Sequence, residues 1–272
     1  MHVNFKGIYL VIVLIFFIAF YFVIIPYYQK WRLQAKTNQT YLNLKDSPLP
    51  WKVLGYSEKN NPIYGLSVGS GQDTVIIFGA FHGDEQVGFH LALQLADTLY
   101  KNPQLAKSLV LLVPVVNPDG MLAGTRVNAN GVDLNRNFPT EDWSPVYSKK
   151  RYYPGIEPAS EKETQLVIQL INQYKPDRII SIHSDLRMNN FNGPAEELAE
   201  TIAKYNGYPV KGDVGYATPG SFGTFAGLEM GIPVITLELP AVGIEKAWQQ
   251  NFKALLAAIN FKVQAVNIHN AE

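Results

Sequence analysis

No cysteine occurs among the 272 residues of the chain. That absence excludes disulfides, thiolate metal sites and cysteine nucleophiles together, so any metal centre must be built from imidazole and carboxylate. Net charge is absent as well, 23 Lys+Arg balancing 23 Asp+Glu. No long-range field favours a polyanion, and nucleic acid is not an expected partner. Histidine is scarce, at five residues. His2 and His269 lie at the chain ends, beyond any expected sheet, which leaves His82, His90 and His183.

One long hydrophobic run is present. From Ile8 to Ile25 the chain is uncharged and almost wholly apolar, and at ~1.5 Å per residue the run reaches roughly 27 Å, close to the thickness of a bilayer core. Bulky Tyr21 to Tyr28 and Pro26 stand where a signal peptide needs small residues at its cleavage site. Apolar side chains cover every face of the run, and Tyr27, Tyr28 and Trp31 suit an interfacial belt. The expectation is a single-pass anchor over 1–26, in contact with the lipid bilayer through residues 8–25. A polar stalk over 27–50 follows, ending in Ser47-Pro48-Leu49-Pro50, and then one catalytic domain over 51–272. Lys6 precedes the span while Lys30, Arg32 and Lys36 follow it, and the side of the membrane stays undetermined.

Beyond Gly65, short β-branched runs alternate with helical periodicity. Strands are expected at 74–78, 109–116, 178–182 and 233–237, with helices at 86–100, 161–174, 195–205 and 244–260. The fold class is α/β: a mixed, mainly parallel sheet with helices on both faces. Between Asn117 and Glu157 lies a polar tract without clear periodicity, a length that usually carries function in a compact domain.

In such sheets ligands bind outside the carboxyl ends of the strands. The four apolar runs lead into His82-Gly83-Asp84-Glu85, Asn117-Pro118-Asp119-Gly120, His183-Ser184-Asp185 and Glu238. Four polar strand ends on one edge indicate a site. His82 and Glu85, three apart across a tight turn at Gly83, can point at one centre, and His183 from another strand end completes three zinc ligands. Three protein ligands leave a position for water, the arrangement of catalytic zinc. His-x-x-Glu alone recurs by chance; its combination with His183 carries the reading. His90 has no His-Glu-x-x-His partner and reads as a helix-face histidine. Glu238 closes the strand Val234 to Leu237 and is placed to shuttle a proton for zinc chemistry. Its competing reading is a carboxylate paired with a lysine or a helix N-terminus.

The most specific tract runs from Gly124 to Pro139 and contains Asp133-Leu134-Asn135-Arg136-Asn137-Phe138. Together with His-Gly-Asp-Glu, Asn-Pro-Asp-Gly, Ser-Ile-His-Ser and Thr-Leu-Glu-Leu in this order, the stretch from Pro62 to Glu238 resembles the zinc carboxypeptidase family. Within that family the chain looks most like bacterial murein peptide amidases, which cut between γ-D-glutamate and diaminopimelate.

The resemblance implies a zinc carboxypeptidase-like fold and one Zn2+ per chain on His82, Glu85 and His183, with Glu238 as general base. It implies that Asn135 and Arg136 hold the terminal carboxylate of the substrate, which a guanidinium fork matches; a surface ion pair is the alternative for Arg136. Arg126 is implied to polarise the scissile carbonyl. Asp133 is implied to accept the second imidazole proton of His82, against a plain loop cap. Tyr216 is the candidate for a tyrosine that closes over substrate, against a merely packed side chain. The expected substrate is a cell-wall (peptidoglycan) peptide, and the expected location is the bacterial inner membrane. Two other classes compete: an aspartoacylase-like zinc deacylase, and a non-catalytic, membrane-tethered peptidoglycan-binding module. Asn117 to Gly120 and Ser181 to Ser184 weigh against the first, and an intact Glu238 against the second.

Overall fold

β-Branched and aromatic residues become strands because their crowded side chains fit a pleated surface. A computed structural model of the chain describes residues 9, 13–18 and 20–262. His2, His269, Lys6 and the start of the expected span fall outside them. Among the described residues eight strands form one sheet: β1 (Lys52–Tyr56), β2 (Pro62–Val68), β3 (Thr74–Gly79), β4 (Leu109–Val113), β5 (Arg178–Ser184), β6 (Met188–Asn192), β7 (Val210–Lys211) and β8 (Val234–Leu239), in the order β1-β2-β4-β3-β5-β8-β6-β7. The central strands β4, β3, β5 and β8 are parallel, and β2 and β6 run antiparallel to them on either flank.

The helices are α1 (Ile25–Leu42), α2 (Gln86–Lys101), α3 (Pro118–Ala123), α4 (Lys162–Tyr174), α5 (Glu196–Asn206) and α6 (Ile244–Ile259). Strand side chains alternate between faces. Val75 and Ile77 pack with α2, α5 and α6 residues such as Leu91, Leu198 and Leu255, whereas Ile76 and Phe78 pack with Leu166 and Leu170 of α4. Helices therefore cover both faces, as the periodicity predicts.

Several expectations are corrected. The run 109–116 is a strand only to Val113, since Pro114 has no N–H to continue the ladder. The tract 117–157 contains α3, whose N-terminus is capped by Asn117 accepting from the Gly120 amide at 2.8 Å. β1, β2 and β6 were not foreseen, because glycine, proline and asparagine interrupt their alternation, and β7 is two residues, too short to show a pattern.

The N-terminal residues to Leu44 form a separate unit, and the remainder begins at Lys45. Among the described residues one helix, Val13–Asp46, is long and apolar enough to cross a membrane by length and composition, a test that a signal sequence also meets. Residues 27–42, expected as a linker, are helical within α1. Side-chain pairs one turn apart support it, Gln34 to Asn38 at 2.7 Å and Gln39 to Asn43 at 2.9 Å.

Candidate active site

The sheet face that carries α4 turns polar toward the carboxyl ends of β5 and β8. Residues two apart share a face, so Ile179, Ser181 and His183 descend along β5 beside Val234, Thr236 and Glu238 on β8, in a register that pairs each with its counterpart. At the end of β3 the chain turns through His82, Gly83 and Glu85. Gly83 is required by close approach: a Cβ there would lie 2.0 Å from the carbonyl carbon of Gly120 and 2.2 Å from the amide nitrogen of Met121.

His82, Glu85 and His183 converge, their ligand atoms all within 4.8 Å of one another, and all three are buried. His82 Nδ1 stands 2.7 Å from Glu85 Oε1 and 3.2 Å from His183 Nδ1, which is 3.1 Å from Glu85 Oε2. On its other side His82 Nε2 lies 3.1 Å from Asp133 Oδ1. A proton held there sets the tautomer and turns the Nδ1 lone pair toward His183 and Glu85. Burial opposes a charge on His82, yet Glu85 and then Asp133 outweigh it and hold its pKa up at about 9. Glu85 and Asp133 themselves, despite burial, are kept well below the carboxylate range, above all by His82. Two imidazole nitrogens and a carboxylate closing on one point form a donor set that a divalent cation satisfies by replacing the proton held among the Nδ1 atoms and Glu85. Phe81 stacks on His183 with ring centres 5.8 Å apart, and Phe138 and Phe222 back it.

Glu238 is buried, and its Oε2 has no hydrogen-bond partner among the described residues. Burial raises its pKa above the ordinary value; His183 opposes and Glu85 adds to the rise. Arg126 is clamped by Asp133, its Nε and Nη2 each 3.0 Å from Oδ2, with Nη1 3.6 Å from Glu85. Arg136 is buried, and among the described residues no carboxylate lies within ion-pair distance; its Nη1 donates to the Asn135 carbonyl. A buried guanidinium with no carboxylate in ion-pair contact keeps hydrogen-bond donors that a carboxylate can satisfy. Asn135 Oδ1 accepts from the Phe222 amide at 2.8 Å, which fixes the amide orientation and leaves its N–H groups as the donor end.

His82, Glu85, Arg126, Asn135, Arg136, Tyr216 and Glu238 line one cavity of about 570 Å³. The sequence-predicted residues thus come together, with Asp133 behind His82 and Arg126. Tyr216 is exposed on the wall of the cavity that Arg136 also lines. Asp185 lines the cavity, whereas Arg187 stacks on Tyr208 instead. His90 is buried in α2 against Phe89 and belongs to no metal group among the described residues.

The polar strand end after β4, Asn117 to Gly120, does not line the cavity. Asn117 reaches the Phe81 and Arg126 carbonyls at 3.3 Å, and Asp119 accepts from Ser57 and Asn61, each at 2.7 Å. They brace the loops that carry the site. A buried pair, Glu161 and Glu163, anchors the neighbouring turn through Asn128. Residues that sequence reasoning missed are Arg151 and Tyr152 on the long loop, and Asn190, Asn192 and Thr236, which give the cavity polar walls. The basic-aromatic run Lys149 to Tyr153 was a visible signal for the first two. β6 gave none.

A family model described as zinc carboxypeptidase matches residues 49–205. The chain belongs to the zinc carboxypeptidase family. This zinc carboxypeptidase is 34% identical over 196 residues to murein peptide amidase A of Escherichia coli strain K12, an alignment covering 68% of the chain and 78% of that relative. It is also 34% identical over 199 residues to murein peptide amidase A of Vibrio campbellii, covering 68% and 76%. Among solved structures it resembles a murein-tripeptide amidase from E. coli O157, with TM-score 0.68, 29% identity and coverage of 80% of this chain and 94% of the other. Bovine thrombin-activatable fibrinolysis inhibitor shares the fold, with TM-score 0.67 and 19% identity over 84% and 93%. The zinc carboxypeptidase is therefore a zinc-dependent hydrolase, and its His-Glu-His donor set fits that metal.

Proposed function

We propose that this enzyme hydrolyses the C-terminal amide of a murein peptide, between a γ-linked D-glutamyl residue and a diamino acid such as diaminopimelate. The observation that carries the reading is the buried guanidinium of Arg136, with no carboxylate in ion-pair contact among the described residues, in one cavity with His82 and Glu85, which converge with His183. It fits a substrate that presents a terminal carboxylate beside the scissile bond. The polar walls at Asn190, Asn192 and Thr236 suit a leaving residue whose side chain ends in polar groups, and relatives named murein peptide amidase favour the same substrate.

In this reading His82, Glu85 and His183 hold the metal. Bound zinc supplies Lewis acidity toward water and the scissile carbonyl. Arg136 forks the substrate carboxylate while the Asn135 amide donates to it. Glu238 takes the proton of the attacking water and returns it to the departing nitrogen, so the cleaved amide leaves as an amine. Burial raises its pKa, which makes it a better base for the first transfer and lets it hold the proton until the second. Arg126, held by Asp133, donates to the carbonyl oxygen as charge develops there. Tyr216 closes over the bound peptide. The N-terminal helix anchors the enzyme in the bacterial inner membrane, joined by α1 to a catalytic domain over 51–272.

The test is to incubate the full chain, in detergent with zinc, with muropeptides and with ordinary α-linked peptides, reading products by mass. Release of diaminopimelate from the former is expected. Release of common amino acids from the latter alone would reject the substrate.

A further inference from the structure

Three guanidinium groups surround one phenol. The Cζ atoms of Arg126, Arg136 and Arg151 stand 5.5, 5.9 and 5.6 Å from the centre of the Tyr152 ring, and all four side chains line the cavity. Amide cleavage at a peptide C-terminus uses two of these cations, one at the terminal carboxylate and one at the scissile carbonyl. Arg151 is surplus to that chemistry. Its ion-pair partner among the described residues is Asp84 at 3.9 Å, the edge of ion-pair range, and its side chain is 54% exposed. Like charges gathered on one ring repel, and a ligand that brings a second negative group relieves the repulsion.

Where on the substrate that group sits follows from the sheet order. Asp84 belongs to the loop after β3, and β5 and β8 separate β3 from β6, which carries Asn190 and Asn192. Arg151 therefore stands on the side of the metal-binding loop, away from the recess assigned to the leaving residue. In the binding mode proposed above, that side takes the acyl part of the substrate, the part whose carbonyl Arg126 addresses.

Acyl residues of ordinary and γ-linked peptides differ there. In an α-linked peptide the backbone carboxyl is consumed in the scissile amide. In a γ-glutamyl amide the side-chain carboxyl is consumed and the α-carboxylate stays free, four carbon–carbon bonds from the scissile carbonyl carbon. We propose that Arg151, stacked on Tyr152, is the specificity residue that binds this free α-carboxylate and so selects γ-linked over α-linked acyl groups. The proposal rests on the murein-amidase reading and adds to it the residue that recognises the linkage.

The experiment compares two substrates in the zinc-loaded full chain: L-Ala-γ-D-Glu-diaminopimelate, and the same tripeptide with the glutamyl α-carboxylate converted to an amide. Wild type is expected to favour the carboxylate in kcat/KM by roughly tenfold, the modest figure for a charged hydrogen bond at a half-exposed site. Arg151→Met is expected to bring that ratio close to one, chiefly through KM for the carboxylate form, and Arg151→Lys to keep part of it. Raising the salt concentration shrinks the wild-type ratio, because the contact is solvent-screened. A ratio unchanged in Arg151→Met, or already close to one in wild type, overturns the proposal while leaving the amidase reading intact. If wild type releases diaminopimelate from neither peptide, the amidase reading fails and this inference falls with it. The ratio is taken within one enzyme, so a general loss of folding or zinc does not move it.

Discussion

His183 and Glu238 stand directly opposite each other on the adjacent parallel strands β5 and β8. Both project from the face that carries α4, because Ile179 and Val234, an even number of residues before them, pack in its core. A one-residue slip of β8 would turn Glu238 to the opposite face, so the backbone ladder itself holds the carboxylate beside the imidazole.

Glu238→Gln is expected to leave zinc near one per chain while turnover falls by about 10²- to 10⁴-fold, the usual worth of a general acid–base group. Metal analysis and initial rates on one preparation check both halves. Unimpaired turnover would remove Glu238 from the mechanism.

Gly83→Ala is expected to empty the metal centre. The added Cβ meets backbone atoms of Gly120 and Met121 at 2.0–2.2 Å, and backbone cannot swing aside as a side-chain tip can. The loop carrying His82 and Glu85 must shift, and a misplaced ligand pair loses the ion. Zinc content well below one per chain, with secondary structure retained by circular dichroism, is the expected result; full occupancy would show that the loop accommodates a methyl group.

Arg178→Met is expected to lower stability by about 2–4 kcal/mol, because it removes several buried hydrogen bonds made by a charged group. Arg178 is 1% exposed; its Nε donates to the Ala258 carbonyl at 2.8 Å, and Nη2 donates to Ser108 Oγ and the Ile259 carbonyl. Those carbonyls end α6, where the Ala258 carbonyl also receives the Asn260 amide and the Ile259 carbonyl the Ser108 hydroxyl, so the guanidinium ties the helix end to β4 and β5. Urea unfolding measures the loss, and an unchanged midpoint would contradict it.

Glu163 gives the chain a pH-dependent stability. Burial pushes its pKa from 4.5 up to about 7, Asp119 adding to the rise while hydrogen bonds from backbone and Asn128 resist it. The folded state therefore holds a proton that the unfolded state releases. Its stabilising contribution is complete below pH 4.5, declines as pH rises, and is gone above about 7. Glu163→Gln removes the titration. The variant should match wild type in acid and exceed it by roughly 1–3 kcal/mol above neutrality. Melting temperatures across pH 4–8 test this, and a pH-independent difference would refute it.

Local chemistry was legible in the amino-acid order alone. The strands β3, β5 and β8 and the helices α2, α4, α5 and α6 follow from side-chain periodicity, and His82 with Glu85, or Asn135 with Arg136, sit close enough along the chain to read as units. The helical α1, the short α3 and the flanking strands escaped, because their residues carry weak or mixed propensities and form where neighbours pair with them. Long-range placement belongs to the tertiary structure. His183 meets His82 across 101 residues, Asn117 proves a brace rather than a lining group, and Tyr152 gathers three arginines that the chain scatters over 26 positions. Periodicity states which face of a strand a side chain takes; only the order and register of strands in the sheet decide which faces, and so which charges, come within reach of one another.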